Sequence, residues 1–312
     1  MSIKSDFIWM DGDLVPFDQA TVHVLSHTLH YGLGVFEGIR AYEQAPGVGG
    51  VFKLDDHLER LFDSAKMCMI KVPFSYDQLR DACLETLRIN RLTEGYIRPL
   101  IWLGSGQMGL GARGNQVHVG IAVWKWGAYL GEGLTKGIRA GTSSFTRHAV
   151  NSNLQRAKVT GHYVNSILAR YEANKNGYDE AIMLDHNGYV AEGTGENLFA
   201  MRRGKIKTPS ITNILGGITR KTAIQILHEL GYPVIETQFG RDLLYVADEV
   251  FMTGTAAEIT PVIEVDHRVV GAPNELGEGS PGALTLQIQD IYLRGVRGQV
   301  DWMRPFITRF EV

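Results

Sequence analysis

Gln155-Arg156-Ala157-Lys158-Val159-Thr160-Gly161-His162-Tyr163 and, further along, Glu192-Gly193-Thr194-Gly195-Glu196-Asn197-Leu198-Phe199 are the stretches from which the rest of the chain is read. Lys158 stands where a strand or loop meets a helix, among small and apolar residues. A lysine in such a place, with a lowered amine pKa or a carbonyl partner, serves as a Schiff-base nucleophile or a proton shuttle. Taken alone it reads as a solvated surface lysine. The second stretch changes the balance. Two glycines around one threonine bend the chain sharply, and both glutamates flank that bend at the end of a strand.

Two more glycine turns each lead to a threonine. Gly216-Gly217-Ile218-Thr219 opens a helix, where free N–H groups and the helix dipole favour a phosphate. Thr253-Gly254-Thr255-Ala256 follows a strand and offers N–H groups and a hydroxyl to an anion. No Gly-x-x-x-x-Gly-Lys-Ser/Thr stretch occurs, which disfavours ATP hydrolysis. Arg60 and Arg98 are candidates for bidentate contacts to phosphate or carboxylate. An amine, a carboxylate behind a glycine turn and two anion turns together point to pyridoxal phosphate. That cofactor needs an imine-forming lysine, a phosphate site and an acidic partner for its ring nitrogen.

Working outward, Asp11-Gly12-Asp13 marks a turn between two short strands, and residues 26–39 read as a short helix entering a strand. Arg40 to Lys53 reads as a hairpin bent at Gly47-Val48-Gly49-Gly50. A helix follows Leu54, with Asp55 or Asp56 as its cap, and a second spans Tyr76 to Asn90. Tyr96–Leu103 and Val117–Trp124 read as strands. The glycines of residues 127–133 suggest an interdomain linker. Beyond Lys158, the spacing of Val164, Ile167, Leu168 and Tyr171 predicts a helix. Asn187-Gly188 predicts a hairpin, and Arg203-Gly204 a second. A helix over Lys221 to Leu230 stops at Gly231-Tyr232-Pro233, Glu249–Met252 is a short strand, and Leu284–Leu293 is the last helix. Strands alternate with helices in both halves, as in two mixed α/β domains.

The composition is that of an ordinary globular protein: 312 residues, 44% hydrophobic and 21% charged. A net charge of −3 leaves no electrostatic footprint for nucleic acid. Cys68 and Cys83, the two cysteines, cannot form a disulfide scaffold. With no signal-like core in Met1–Met10 and no run of ~18 apolar residues for a membrane span, the expectation is a cytoplasmic protein. There are 36 glycines where average usage gives about 22, and they are spread among turns. His27 and His30 lack further ligands at metal-site spacing and read as structural.

The chain resembles the branched-chain amino-acid aminotransferases, pyridoxal-phosphate enzymes of fold type IV. The resemblance rests on His30-Tyr31-Gly32 with Val35-Phe36-Glu37-Gly38-Ile39-Arg40, Tyr96-Ile97-Arg98-Pro99-Leu100, Trp126-Gly127-Ala128-Tyr129-Leu130, Ala157-Lys158 with Tyr163-Val164-Asn165-Ser166, the Glu192 stretch, Gly217-Ile218-Thr219-Arg220 and Gly254-Thr255-Ala256-Ala257-Glu258. These run in order over about residues 7 to 300.

The resemblance implies an α+β fold of two mixed α/β domains. A smaller N-terminal two-layer αβ sandwich would span 1–127, a linker 128–134, and a larger αβ-barrel-like domain carrying the lysine 135–312. It implies that Lys158 binds the cofactor as an imine and then shuttles the substrate proton. Glu192 would face the ring nitrogen, Tyr163 would bond the phenolic oxygen, and Leu215 would pack on the ring. Arg60, Ile218, Thr219 and Thr255 would hold the phosphate. For substrate, Thr255-Ala256 with Tyr31, Tyr96 and Arg98 would orient the carboxylate. Phe36, Gly38, Met108, Leu110, Trp126, Tyr129 and Gly195 would line the pocket, Tyr31 and Leu110 reaching it from a neighbouring subunit. A homodimer or hexamer follows, acting on small amino acids and 2-oxo acids.

The chain departs from the family over Thr146 to Arg156, which lacks the proline-bearing run of many relatives, and at Gly104-Ser105-Gly106-Gln107. Same-fold alternatives are a D-amino-acid or (R)-amine aminotransferase and an aminodeoxychorismate lyase.

Overall fold

The structure, a computed structural model, describes residues 4–112, 114–126 and 131–312. Its contacts divide the chain into two compact units. The first comprises residues 1–126, Ala157–Tyr163 and Gly295–Val312, and the second Gly127–Arg156 and Val164–Arg294. The division is thus not continuous in sequence, unlike the expected 1–127 and 135–312, and the Lys158 segment and the C-terminal tail group with the first unit. The expected linker 128–134 lies in part outside the described residues; its end enters a four-residue helix, α4 below.

The first unit holds strands β1 (Phe7–Met10), β2 (Asp13–Pro16), β3 (Gly34–Phe36), β4 (Ile39–Ala45), β5 (Val48–Phe52), β6 (Gly95–Leu103) and β7 (Val117–Trp124), with a C-terminal strand Ile307–Glu311. The sheet runs C-terminal strand, β5, β4, β6, β7, β1, β2, with β3 beside β6. Helices α1 (His27–Tyr31), α2 (Leu54–Met67) and α3 (Tyr76–Ile89) complete it.

Helix α2 buries Leu54, Leu58, Leu61 and Ala65, one apolar stripe at helical spacing. Its N-cap is Lys53 in a left-handed conformation (φ 51°), not Asp55 or Asp56. Asp55 instead accepts from Tyr76 Oη at 2.8 Å and Arg80 Nε at 3.1 Å, tying α2 to α3. Helix α3 starts in a capping box: Gln78 N–H donates to Ser75 Oγ at 3.2 Å and Ser75 N–H to Gln78 Oε1 at 2.8 Å. Its Leu79, Cys83 and Leu87 meet the inward residues of β6 and β7, Ile97, Ile101, Val119, Ile121 and Val123. Each leucine so buried contributes about 1.5–3 kcal/mol. Helices over a sheet around one core make a two-layer sandwich.

The β4–β5 bend is at Pro46-Gly47, not over residues 47–50. Gly49 and Gly50 are strand residues because the C-terminal strand pairs there; a Cβ on Gly49 would lie 2.3 Å from Phe310 Cζ.

The second unit carries a nine-stranded mixed sheet curled as a half-barrel. Its strands are β8 (Ile138–Thr142), β9 (Glu180–Leu184), β10 (Val190–Gly193), β11 (Asn197–Arg202), β12 (Lys205–Thr208), β13 (Val234–Glu236), β14 (Glu249–Gly254), β15 (Glu258–Val265) and β16 (Arg268–Val269). The order is β10-β9-β8-β15-β14-β11-β12-β13, with β16 beside β15. The helices are α4 (Gly133–Lys136), α5 (Tyr163–Lys175), α6 (Ile218–Glu229), α7 (Asp242–Tyr245) and α8 (Ala283–Gly295). Helix α6 starts three residues before the predicted Lys221, so Ile218 and Thr219 are its first residues. The helix predicted from Val164, Ile167, Leu168 and Tyr171 exists, but that stripe points outward: the four are 60%, 47%, 43% and 63% exposed. The inward face of α5 is small, with Ala169 and Ala173 against Ala181 and Met183.

Candidate active site

Lys158 is held through its backbone from two sides. Its N–H donates to Ser64 Oγ of α2 at 3.0 Å, and its carbonyl accepts from Phe36 N–H at the end of β3 at 3.1 Å. Val159 bridges to Val35 of the same strand. A single 3-10 turn, Thr160–His162, then brings Tyr163 round. Lys158 Nζ donates to Tyr163 Oη and lies 4.9 Å from the centroids of both the Tyr163 and Phe36 rings. The amine is half-buried against two aromatic faces, with the phenol oxygen as its partner.

Arg60, on the face of α2, is aimed by Glu37. Its Nε donates to Glu37 Oε1 at 2.6 Å and Nη2 to Oε2 at 2.9 Å, a bidentate pair. His57, one turn earlier, has Nδ1 at 2.7 Å from Glu37 Oε2. Glu37 is fully buried. Burial pushes its carboxyl up, but Arg60 and His57 together hold it well below the usual carboxylate range. Burial lowers the His57 pKa, against the pull of Glu37.

Arg98 lies on β6, its guanidinium 4.9 Å from the Phe36 centroid, 5.3 Å from Tyr96 and 5.7 Å from Trp124. Its Nε is buried without a hydrogen-bond partner, an orphan donor among rings. Tyr96 and Trp126 pack edge to face at 4.3 Å. Gly38 is required by Tyr96: a Cβ there would fall 1.8 Å from Tyr96 Oη. Tyr31 Oη accepts from Gly109 N–H at 3.1 Å, which draws Met108 and Leu110 beside it. These three are exposed, Leu110 at 90%. Tyr129 lies outside the described residues. His27 and His30 each bond a backbone carbonyl through Nε2, of Gly109 and Val24.

In the second unit, Glu192 ends β10 and is buried. Its Oε1 accepts from Arg147 Nε at 2.7 Å; its Oε2 accepts from Asn197 Nδ2 at 3.1 Å and Leu215 N–H at 3.2 Å. Asn197 Nδ2 also donates to the Leu215 carbonyl at 2.9 Å. The turn itself is braced by Thr194 Oγ1, which donates to Glu180 Oε1 at 2.6 Å, while Arg170 pairs with the other oxygen of Glu180.

Two residues beyond Leu215, Gly217 is the N-cap of α6, and no side chain caps this helix. The first-turn N–H groups beside Ile218 and the buried Thr219 lie at this uncapped helix start, the kind of place that favours an anion. The Thr255-Ala256-Ala257 turn joins β14 to β15 and closes through Glu258 in a left-handed conformation (φ 54°). Gly195 approaches it: its carbonyl would be 3.4 Å from a Cβ on Gly254. Thr253 Oγ1, just before this turn, is buried with no partner.

Within the first unit the structure therefore gathers Lys158, Tyr163 and Phe36, and Tyr96 with Arg98 and Trp126; within the second it gathers Glu192, Leu215 and the start of α6. Sequence reasoning missed Glu37, His57, Arg147 and Glu180. Each is a charged or polar residue that folding buries; their only forewarning was a place inside or next to a motif already singled out.

The family model for amino-transferase class IV matches residues 34–265. The branched-chain-amino-acid aminotransferase of Pseudomonas aeruginosa is 49% identical over 302 residues, 96% of each chain. The crystal structure of the Escherichia coli branched-chain amino acid aminotransferase superposes with a TM-score of 0.92 at 45% identity, over 97% of this chain and 99% of that one. A branched-chain amino acid aminotransferase from T.th., solved with pyridoxamine 5'-phosphate, gives 0.93 at 46% identity, with 98% and 99% covered. The chain belongs to the class IV aminotransferase family, and its two mixed α/β units have the fold of the type IV enzymes.

Proposed function

We infer that this chain is a branched-chain amino-acid aminotransferase, exchanging the amino group of leucine, isoleucine or valine with 2-oxoglutarate by a ping-pong route with pyridoxal phosphate. The observation that carries the reading is Lys158 Nζ resting on Tyr163 Oη over the Phe36 ring. The donor sets fit the cofactor: an amine beside a phenol, a buried carboxylate ringed by N–H donors, and a helix start with no side-chain cap.

When bound, pyridoxal phosphate supplies a carbonyl carbon to an amine and a ring that withdraws charge from Cα. Lys158 would hold it through Nζ, and the same amine would carry the substrate Cα proton. Tyr163 Oη would hydrogen-bond the phenolic oxygen of the ring, Glu192 would answer the ring nitrogen, and Leu215 would pack on the ring. Ile218 N–H, Thr219, Thr255 and Arg60 would take the phosphate. Thr255-Ala256, Tyr96 and Arg98 orient the substrate carboxylate. Phe36, Gly38, Trp126 and Gly195 would line the space for an aliphatic side chain, with Tyr31, Met108 and Leu110 offered to a second subunit; the family role of Tyr129 falls outside the described residues.

A substrate panel tests this. L-leucine is expected to turn over with 2-oxoglutarate faster than D-alanine or an (R)-amine; D-alanine ahead of L-leucine would move the chain to the D-amino-acid group. Gly217→Ala is expected to weaken cofactor binding. A Cβ there would lie 2.0 Å from Asn197 Oδ1, so Asn197 must leave Glu192. Losing one hydrogen bond to a charged group costs about 1.5–3 kcal/mol, so the Kd for pyridoxal phosphate should rise about 10- to 100-fold. A change under about twofold would show that Asn197 keeps its place.

The reading includes a homodimer or larger assembly. The exposed Val24, Leu29, Tyr31 and Leu110 of the first unit and the outward stripe of α5 are apolar surfaces that a second copy would cover. Sedimentation at the mass of one chain would overturn it. It also includes a cytoplasmic setting, which both free cysteines suit; recovery in another cell fraction would count against that.

A further inference from the structure

We propose that Arg147 is a positioning residue that keeps the Glu192 side chain ionised, so that the carboxylate accepts a ring nitrogen only in its protonated form. The proposal rests on the cofactor reading above and deepens it. Arg147 follows β8 and is anchored by its own N–H, which donates to the Leu184 carbonyl at 2.8 Å. Its side chain is 9% exposed and that of Glu192 7%. A guanidinium does not deprotonate in proteins, so the charge opposite Glu192 is permanent.

The three hydrogen bonds named for Glu192 share one polarity. Glu192 receives Arg147 Nε–H on one oxygen and the N–H groups of Asn197 and Leu215 on the other. Each of these supplies a proton and none takes one. A protonated carboxyl would have to turn its O–H against one of them. Burial by itself favours the neutral carboxyl; the guanidinium reverses that preference. A nitrogen heterocycle docking here must therefore bring its own proton. With the charge of Arg147 removed, the proton between ring and carboxyl would sit on Glu192, and the ring nitrogen would be bare. His148 Nδ1 lies 3.4 Å from Arg147 Nη1, and burial and Arg147 lower its pKa.

The test measures binding. Dissociation constants of the cofactor-stripped full-length chain are compared for pyridoxal phosphate and its 1-deaza analogue, in which C–H replaces the ring nitrogen. The ratio of the two reads how much the protonated nitrogen gains. Arg147→Met is expected to lower that ratio by about tenfold or more, one pKa unit of proton affinity. Arg147→Lys, which keeps the charge, should hold it within about threefold of the parent. A guanidinium that merely props the loop would weaken both ligands alike and leave the ratio unmoved, which overturns the proposal. Equal loss in the lysine and methionine variants overturns it too. Should Arg147→Met not fold, Arg147→Gln, which keeps a donor without the charge, is held to the same tenfold fall. Failure of the parent chain to bind either compound would remove the cofactor reading instead.

Discussion

Lys158→Ala is expected to lower exchange between L-leucine and 2-oxoglutarate by about 10⁴-fold, the upper end of what a positioned proton-transfer group supplies. The amine is carried by a segment bonded on one side to α2 and on the other to β3, so no neighbour can be swung into its place by a rotamer change. It is held on the Tyr163 oxygen over two rings. No other lysine shares these contacts among the described residues; Lys53 of the same unit lies over Phe306. Lys158→Arg should lose nearly as much, since a guanidinium stays protonated and is no nucleophile. Steady-state kcat for both variants, with circular dichroism showing an intact fold, is the check. Activity within about tenfold of the parent in either variant would mean that another group moves the proton.

The legible part of this site is the local part. Lys158 and Tyr163 fall within one short stretch, and the turn after Glu192 announces itself through two glycines. Hairpins were readable at Asn187-Gly188 and Arg203-Gly204 because turn chemistry acts over a few residues. What was not readable depends on distant partners. Gly49 and Gly50 look like bend residues, yet they are flat strand because Phe310 packs on them. The strand Ile307–Glu311 has no strong alternation of its own and is set by its pairing with β5. The α5 stripe has core periodicity but faces outward, since periodicity shows that a face is apolar and not what covers it. In the sequence Arg147 stands only within a stretch that departs from relatives; its partner Glu192 is brought to it by the pairing of β9 with β10 and the return of the chain at Leu184. Arg60 was assigned to an anion, and the structure adds that Glu37 aims it.

Glu37→Gln should destabilise the chain by about 3–5 kcal/mol at neutral pH, the cost of removing one partner from a buried ion pair. The carboxylate is fully buried and answers two groups, Arg60 and His57. The glutamine fills the space but brings no charge to set against the guanidinium of Arg60. The pH dependence has a definite sign. The folded Glu37 carboxyl is held below its ordinary value, so the unfolded chain binds that proton more readily. Its stabilisation is fully present above the unfolded value of about 4.3 and is lost as pH falls through the lower folded value. His57, also lowered, adds a loss of the same sign beginning below about 6.5. The His57 loss falls on both chains, so the gap between parent and Glu37→Gln should persist down to about pH 4.3 and shrink as pH falls below that. Urea midpoints at fixed protein concentration and unchanged slope give the measurement. A double variant, Glu37→Gln with Arg60→Met, should recover part of the loss, because the stranded charge goes with its partner. If Glu37→Gln alone costs under about 1 kcal/mol, or the gap widens towards pH 3, the pair is not what holds α2 to the end of β3.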